Sequence, residues 1–322
     1  MIYKLKPLSC EKNYLVDAID SIYKHIDSTI FQETAGTILV GNIQAMISAD
    51  HYFSGLRDNV PNTITFCHCK PKETIENAIH RLEKAEQSVV LLPYIFHKIA
   101  KPKKHQLFIF LISEDPAIVF ARMMANSVIE VYPKFKRPED FPKSCYVGPG
   151  VHVAEDVEIG ENVRLIGNIF IYSGVKIGNN VIVKPNTVIG GEGFEKDYDP
   201  KMDCIWHWPH MASVIIEDNV QIGSCVCIDR GMFKDTIIHR GAMLDNLIHV
   251  AHSVEIGENA RIVASTMIAG SVKIGARAWV ATSIIKNGIT LGDECYIGLG
   301  SVVVKDIPAG KLAFGVPAKV KE

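Results

Sequence analysis

The sequence predicts a mainly β protein, a parallel β-helix built from hexapeptide repeats and preceded by a small α/β domain. Three observations carry this. An aliphatic residue recurs every six positions from Val147 onward, glycine commonly follows it, and the first 140 residues lack the period. A content of 24 glycines and only 8% aromatics suits many tight turns joined by small and aliphatic residues.

Composition narrows the function classes. Across 322 residues, 34 basic side chains face 36 acidic ones, and the net charge of -2 leaves no basic field for nucleic acid. The longest apolar runs, such as Leu107 to Ile112, fall far short of the roughly 18 residues of a membrane span, so no transmembrane segment is expected. The first residues, Met1 to Lys6, hold no signal-peptide core. Eight cysteines without paired CxxC spacing read as reduced thiols of a cytoplasmic protein, with no structural zinc.

The first domain, 1–140, mixes strand and helix signals. Ser88 to Leu92 and Leu107 to Leu111 are short apolar runs expected as buried strands. Helical spacing covers Ile75 to Lys84 and Ala117 to Val128, the latter opened by Asp115-Pro116, a cap followed by a first-turn proline. Three prolines between Pro133 and Pro142 mark a linker.

The repeat occupies 145–304. Steps of six lead from Val147 through Val153, Ile159, Leu165, Ile171, Ile177 and Val183 to Ile189. They resume at Ile216, Ile222 and Ile228, slip by four residues, and run from Ile238 to Val280. One residue is then lost before Ile285, Leu291, Ile297 and Val303. A second small or β-branched residue, such as Val157 or Val175, stands two places earlier. Two inward side chains per hexad describe a very short strand. The following glycine (Gly160, Gly178, Gly257) allows a sharp turn, and Asn162, Asn180 and Asn259 tolerate a left-handed corner. Three hexads close a coil of about 18 residues, and the coils stack as parallel strands. Residues 305–322 form a C-terminal tail.

Interruptions of a strict repeat are where function concentrates. The loop 190–213 carries Gly191-Glu192-Gly193-Phe194 and Ile205-Trp206-His207-Trp208-Pro209-His210. Its tryptophans suit either a cover over sugar or acyl chain or a cap on the prism wall. Cys204, His207 and His210 lack a partner cluster, so no metal site is expected. A bulge at Arg230 to Asp235 precedes Asp245-Asn246-Leu247-Ile248-His249-Val250-Ala251-His252, whose Asp245, Asn246, His249 and His252 fall on outward or corner positions. Eighteen residues beyond His252 lies Gly270, one coil above. A general base beside an unobstructed backbone N–H suits acyl transfer.

Those residues resemble the UDP-3-O-acylglucosamine N-acyltransferases of lipid A synthesis. The likeness rests on Asp245-Asn246, Val250-Ala251-His252 and Ile256-Gly257, on Trp206 with Pro209-His210, and on Ile228-Asp229-Arg230-Gly231. In the first domain it rests on Glu114-Asp115-Pro116-Ala117 and Phe120-Ala121-Arg122, and it extends from about Gly36 to Val304. The resemblance implies a left-handed coil and a homotrimer with sites between neighbouring prisms. It implies His252 as general base, the Gly270 N–H as oxyanion donor, and Asp245 and Asn246 as residues that orient the histidine or the donor's pantetheine arm. Substrate-binding candidates are Asp245, Asn246, His249, Trp206, His210 and Phe66. Three departures stand out. The family's second histidine has Gly288 near its place, and its uridine segment reads Phe66-Cys67-His68-Cys69-Lys70-Pro71-Lys72 here. The ending Ala313 to Lys319 resembles CoA-dependent sugar acetyltransferases, which makes Lys319 and Lys321 donor-binding candidates. The expected reaction is N-acylation of a nucleotide-linked amino sugar (UDP or dTDP) for a surface polysaccharide. Acyl-CoA is the expected co-substrate, and no tightly bound cofactor is expected. The alternative is the lipid A enzyme itself, with acyl carrier protein as donor.

Overall fold

A computed structural model describes residues 133–321 without a break. Before them it describes strands at 2–5, 33–34, 37–41 and 52–53 and segments 63–67, 75–87, 89–96, 98–111 and 115–131. Gly36, His68 to Lys72, Ile112 and Glu114 lie outside the described residues.

The chain divides into two compact units. One comprises Leu5–Ile129 together with Phe194–Pro209, so most of the inserted loop groups with the first domain. Its sheet runs Glu33–Thr34, Thr37–Gly41, Leu107–Leu111, Val89–Pro93, Thr63–Phe66 and Tyr52–Phe53. Leu107–Leu111 is buried along its whole length and Val89–Pro93 along all but its last residue, as continuous apolar runs in parallel central strands should be. Helix Ile75–Lys84 joins two of the parallel strands, and helix Pro116–Ser127 begins one residue before the predicted start. The cap forms as expected, with the Ala117 N–H donating to Asp115 Oδ1 at 2.7 Å. Within this unit Lys196–Asp199 and Cys204–His207 form an antiparallel hairpin, and Arg122 of the helix pairs with Asp199.

The other unit holds Met1–Lys4, Glu130–Gly193 and His210–Glu322 and contains the parallel β-helix. Three sheets of eight, seven and ten strands form its walls. His152 pairs with Phe170 and Arg164 with Ile182, a spacing of eighteen residues. Lys176 pairs with Ile215 because the loop is extruded between coils, and Cys227 pairs with His249 across the four-residue bulge. Met267 pairs with Ile284, where one residue is missing. Every step-of-six residue is buried except Val147 and Ile159. Those two sit on the first coil, which has a neighbouring coil on one side only.

The corners work differently from the expected glycine turns. Asn162, Asn180 and Asn259 do adopt positive φ, at 57°, 57° and 55°. The glycine two residues before each does not; its role is clearance. A Cβ on Gly223 would lie 2.4 Å from the Asp245 carbonyl, and one on Gly275 would lie 2.4 Å from the Asp293 nitrogen. Adjacent coils pass too closely for any side chain at these points.

Residues after Val303 complete the prism: Leu312–Gly315 extends the ten-stranded sheet in parallel and turns back as Ala318–Lys321. Because the core is one continuous stack, Leu165→Ala, at a fully buried position, is expected to cost about 2–5 kcal/mol in denaturant unfolding. A loss below about 1 kcal/mol would contradict this packing.

Candidate functional site

In the β-helix unit the eight-stranded and seven-stranded walls meet at one edge, and most of the chemistry collects there. The chain turns this edge at Gly191 to Gly193, returns to it at His210, and meets it again at Asp229 to Gly231, Ala251 to Ser253 and Ala269 to Ser271. Stacking at a fixed register therefore brings together residues up to about 80 positions apart in sequence.

His252 and Gly270 occupy successive coils at this edge. The Ser271 N–H donates to the His252 carbonyl at 2.9 Å, fixing the two coils. A Cβ on Gly270 would come within 2.5 Å of His252 Nε2, so the imidazole lies directly over the glycine. Among the described residues no acceptor is found for the Gly270 N–H, while its carbonyl accepts from Gly288 N at 2.9 Å. The pair thus presents a base and a backbone donor side by side.

Burial, with a smaller contribution from neighbouring His210, lowers the His252 pKa to about 4. The His210 ring lies 5.2 Å from that of His252 at an interplanar angle of 72° and is fully buried. His210 Nδ1 is 3.2 Å from Glu192 Oε2, and the His210 backbone N–H donates to the same oxygen at 3.3 Å. Asp229 has its pKa raised to about 7, first by burial; Glu192 raises it further and His210 opposes this. His249 projects from the wall with Nε2 3.7 Å from Asp229 Oδ2. Arg230 is buried beneath the same edge, donating from Nε to the Ala212 carbonyl at 2.8 Å and from Nη2 to the Ser173 carbonyl at 3.2 Å. It ties the returning loop to the coils on either side.

His252, Gly270, His210 and His249 therefore share one edge. Asp245 and Asn246 lie at the preceding corner, between Met243–Leu244 and His249–Val250. There Asn246 Oδ1 accepts from the Ser224 N–H at 2.8 Å, and Asp245 Oδ1 accepts from Asn246. Their hydrogen bonds are made within that corner, away from His252. Lys319 and Lys321 are exposed on the terminal hairpin, Lys321 Nζ standing 4.8 Å from the Phe314 ring centroid.

The first unit's candidates have their own surroundings. The Phe66 ring packs 5.0 Å from Phe120 and 5.5 Å from Trp208. The Trp206 indole N–H donates to Asp199 Oδ2 at 3.1 Å, and the Trp208 indole donates to Asp197 Oδ2 at 2.8 Å. Both indoles are thus anchored by carboxylates of the hairpin that carries them.

Glu192, Asp229 and Arg230 were not singled out individually by the sequence. Continuing the stacking register across the loop and the bulge is the signal that finds them.

No family model matches the chain. It is 38% identical over 131 residues to the UDP-3-O-acylglucosamine N-acyltransferase of Anaeromyxobacter dehalogenans, a match covering 39% of this chain and 37% of that protein. It is 38% identical over 144 residues to the enzyme of the same name from Rhizobium meliloti, covering 44% and 40%. The matched stretch is therefore well under half of these relatives' length. Among solved structures, the UDP-N-acetylglucosamine acyltransferase of Francisella novicida aligns with a TM-score of 0.51 at 22% identity, covering 56% of this chain and 64% of that one. That likeness establishes the left-handed β-helix. Over the matched stretch the chain is similar in sequence to the UDP-3-O-acylglucosamine N-acyltransferases.

Proposed function

We propose that this hexapeptide-repeat protein moves an acyl group from a thioester to the amine of a nucleotide-linked amino sugar. The observation that carries the reading is the seating of His252 over Gly270. A neutral imidazole takes a proton from the attacking amine while the C–N bond forms, and the Gly270 N–H receives the charge that develops on the carbonyl oxygen. As the C–S bond breaks, the proton passes from His252 to the departing sulfur. With the histidine pKa near 4, the base is already neutral at pH 7. A thioester is activated enough for this to proceed without a metal.

The relatives' name favours UDP-3-O-acylglucosamine as the acceptor over another amino sugar of surface polysaccharide synthesis. In that reading the acyl group arrives on acyl carrier protein. The second reading, acyl-CoA, is favoured by the exposed Lys319 and Lys321 on one hairpin, which suit phosphate groups. Asp245 and Asn246 then act from their own corner on the pantetheine arm, or on a neighbouring copy's site in a homotrimer. His249 on the β-helix, and Trp206 and Phe66 in the other unit, remain the acceptor-side candidates, whereas His210 is fully buried and cannot meet the acceptor directly. No described helix is long and apolar enough to cross a membrane.

Free thiol is expected from protein incubated with UDP-3-O-acylglucosamine and either 3-hydroxyacyl carrier protein or acyl-CoA. The preferred donor decides between the two readings. Absence of thiol release with both donors, across UDP- and dTDP-linked amino sugars, would remove the proposal.

A further inference from the structure

We infer that Glu192 and His210 form a positioning pair for His252, with Gly193 and Gly270 as the two seats that hold the imidazoles against each other. The inference accounts for the Gly191-Glu192-Gly193 motif, to which the transfer chemistry assigns nothing, and it rests on the proposed reaction only for its activity readout.

The geometry has the form of a layered stack. A Cβ on Gly193 would lie 2.5 Å from His210 Nε2, just as one on Gly270 would lie 2.5 Å from His252 Nε2. Each ring is pressed onto a glycine, and the two rings meet at 5.2 Å. His252 is thus confined by backbone on one side and by His210 on the other. His210 is in turn held by one carboxylate oxygen of Glu192, which faces both Nδ1 and the residue's own backbone N–H. That arrangement places the proton on Nδ1 and fixes the ring plane.

A space-filling role alone does not explain this choice of residues. A fully buried imidazole with a carboxylate behind it carries a desolvation cost that an aliphatic side chain of similar volume avoids. The polar pair earns its place by directionality: a hydrogen-bonded ring has one orientation, whereas an apolar filler has several. Within the β-helix unit the charged and titratable groups near the stack include Asp229, His249 and Arg230. Arg230 in turn feels Glu192, Asp156 and Asp235.

The test compares Glu192→Gln, which keeps acceptors for both donors, with Glu192→Leu, which keeps comparable bulk and removes them. Glu192→Gln should stay within about threefold of wild-type kcat, while Glu192→Leu should lose roughly tenfold to a hundredfold with little change in acceptor KM. The second readout is independent of turnover: the His252 ring-proton NMR titration should keep its midpoint in Glu192→Gln and move by about half a unit or more in Glu192→Leu. Should Glu192→Leu fail to fold, Gly193→Ala replaces it, since the new methyl meets the His210 ring. Equal kcat and an unmoved His252 midpoint in the decisive variant would overturn the inference. If no donor and acceptor support turnover, the proposed reaction fails while the NMR comparison still decides the positioning pair.

Discussion

His252→Ala is expected to lower turnover by roughly 10²–10⁴-fold, the usual contribution of a positioned general base. Among the described residues His252 is the imidazole seated directly over the Gly270 backbone. His210, though adjacent, has its Nδ1 directed at Glu192, and His249 reaches toward Asp229. Neither is placed to take over the proton transfer. Near-normal turnover in the variant would remove His252 from the chemistry. The substitution also has a pH signature in stability. The folded-state pKa of about 4 lies below the ordinary value of 6.5, so between those values the unfolded chain binds a proton that the folded chain does not. The native protein therefore loses stability from this group as pH falls from 6.5 toward 4, and above 6.5 its contribution is constant. Asp229 acts oppositely: with a folded pKa near 7 against an ordinary 3.8, it loses stability as pH rises through that window. His252→Ala should accordingly gain stability relative to wild type as pH is lowered from 6.5 to 4, measured as the difference in melting temperature. A difference independent of pH would contradict the buried neutral imidazole.

Gly270→Ala should be nearly as damaging, by about 10²-fold in kcat, although it adds one methyl group and removes no functional group. The new carbon would lie 2.5 Å from Nε2 and 2.7 Å from Cε1 of His252. The backbone cannot readily retreat, because Gly288 N is bonded to the Gly270 carbonyl and Ser271 N to the His252 carbonyl, each at 2.9 Å. The ring must move instead, away from the backbone donor it works with. Folding should be retained, since the displaced side chain sits at a corner and not in the prism core. A variant turning over within about threefold of wild type would show that the N–H and the imidazole do not act together.

The β-helix was legible because its determinants are local and repeated. The aliphatic step of six, the slip near Arg230 and the lost residue before Ile285 all reappear as strand register. The reason for the corner glycines was less accessible, because it depends on how closely a neighbouring coil passes, which no single hexad records. His252 and Gly270 could be paired from a one-coil offset. Glu192 and Asp229 could not be added so simply, because the extruded loop and the bulge break the offset between them and His252. In the first domain two central strands and the two described helices stood out through apolar runs, helical spacing and the Asp115 cap. The grouping of residues 194–209 with that domain did not, since it rests on contacts such as Arg122 with Asp199.

The most direct test of the central claim is mass spectrometry of the acceptor after incubation with UDP-3-O-acylglucosamine and a 3-hydroxyacyl thioester, with wild type and His252→Ala side by side. The account predicts an amide product on the sugar nitrogen with wild type and a rate lowered at least about 10²-fold in the variant. No amide with any thioester, or equal amounts from both proteins, would contradict it.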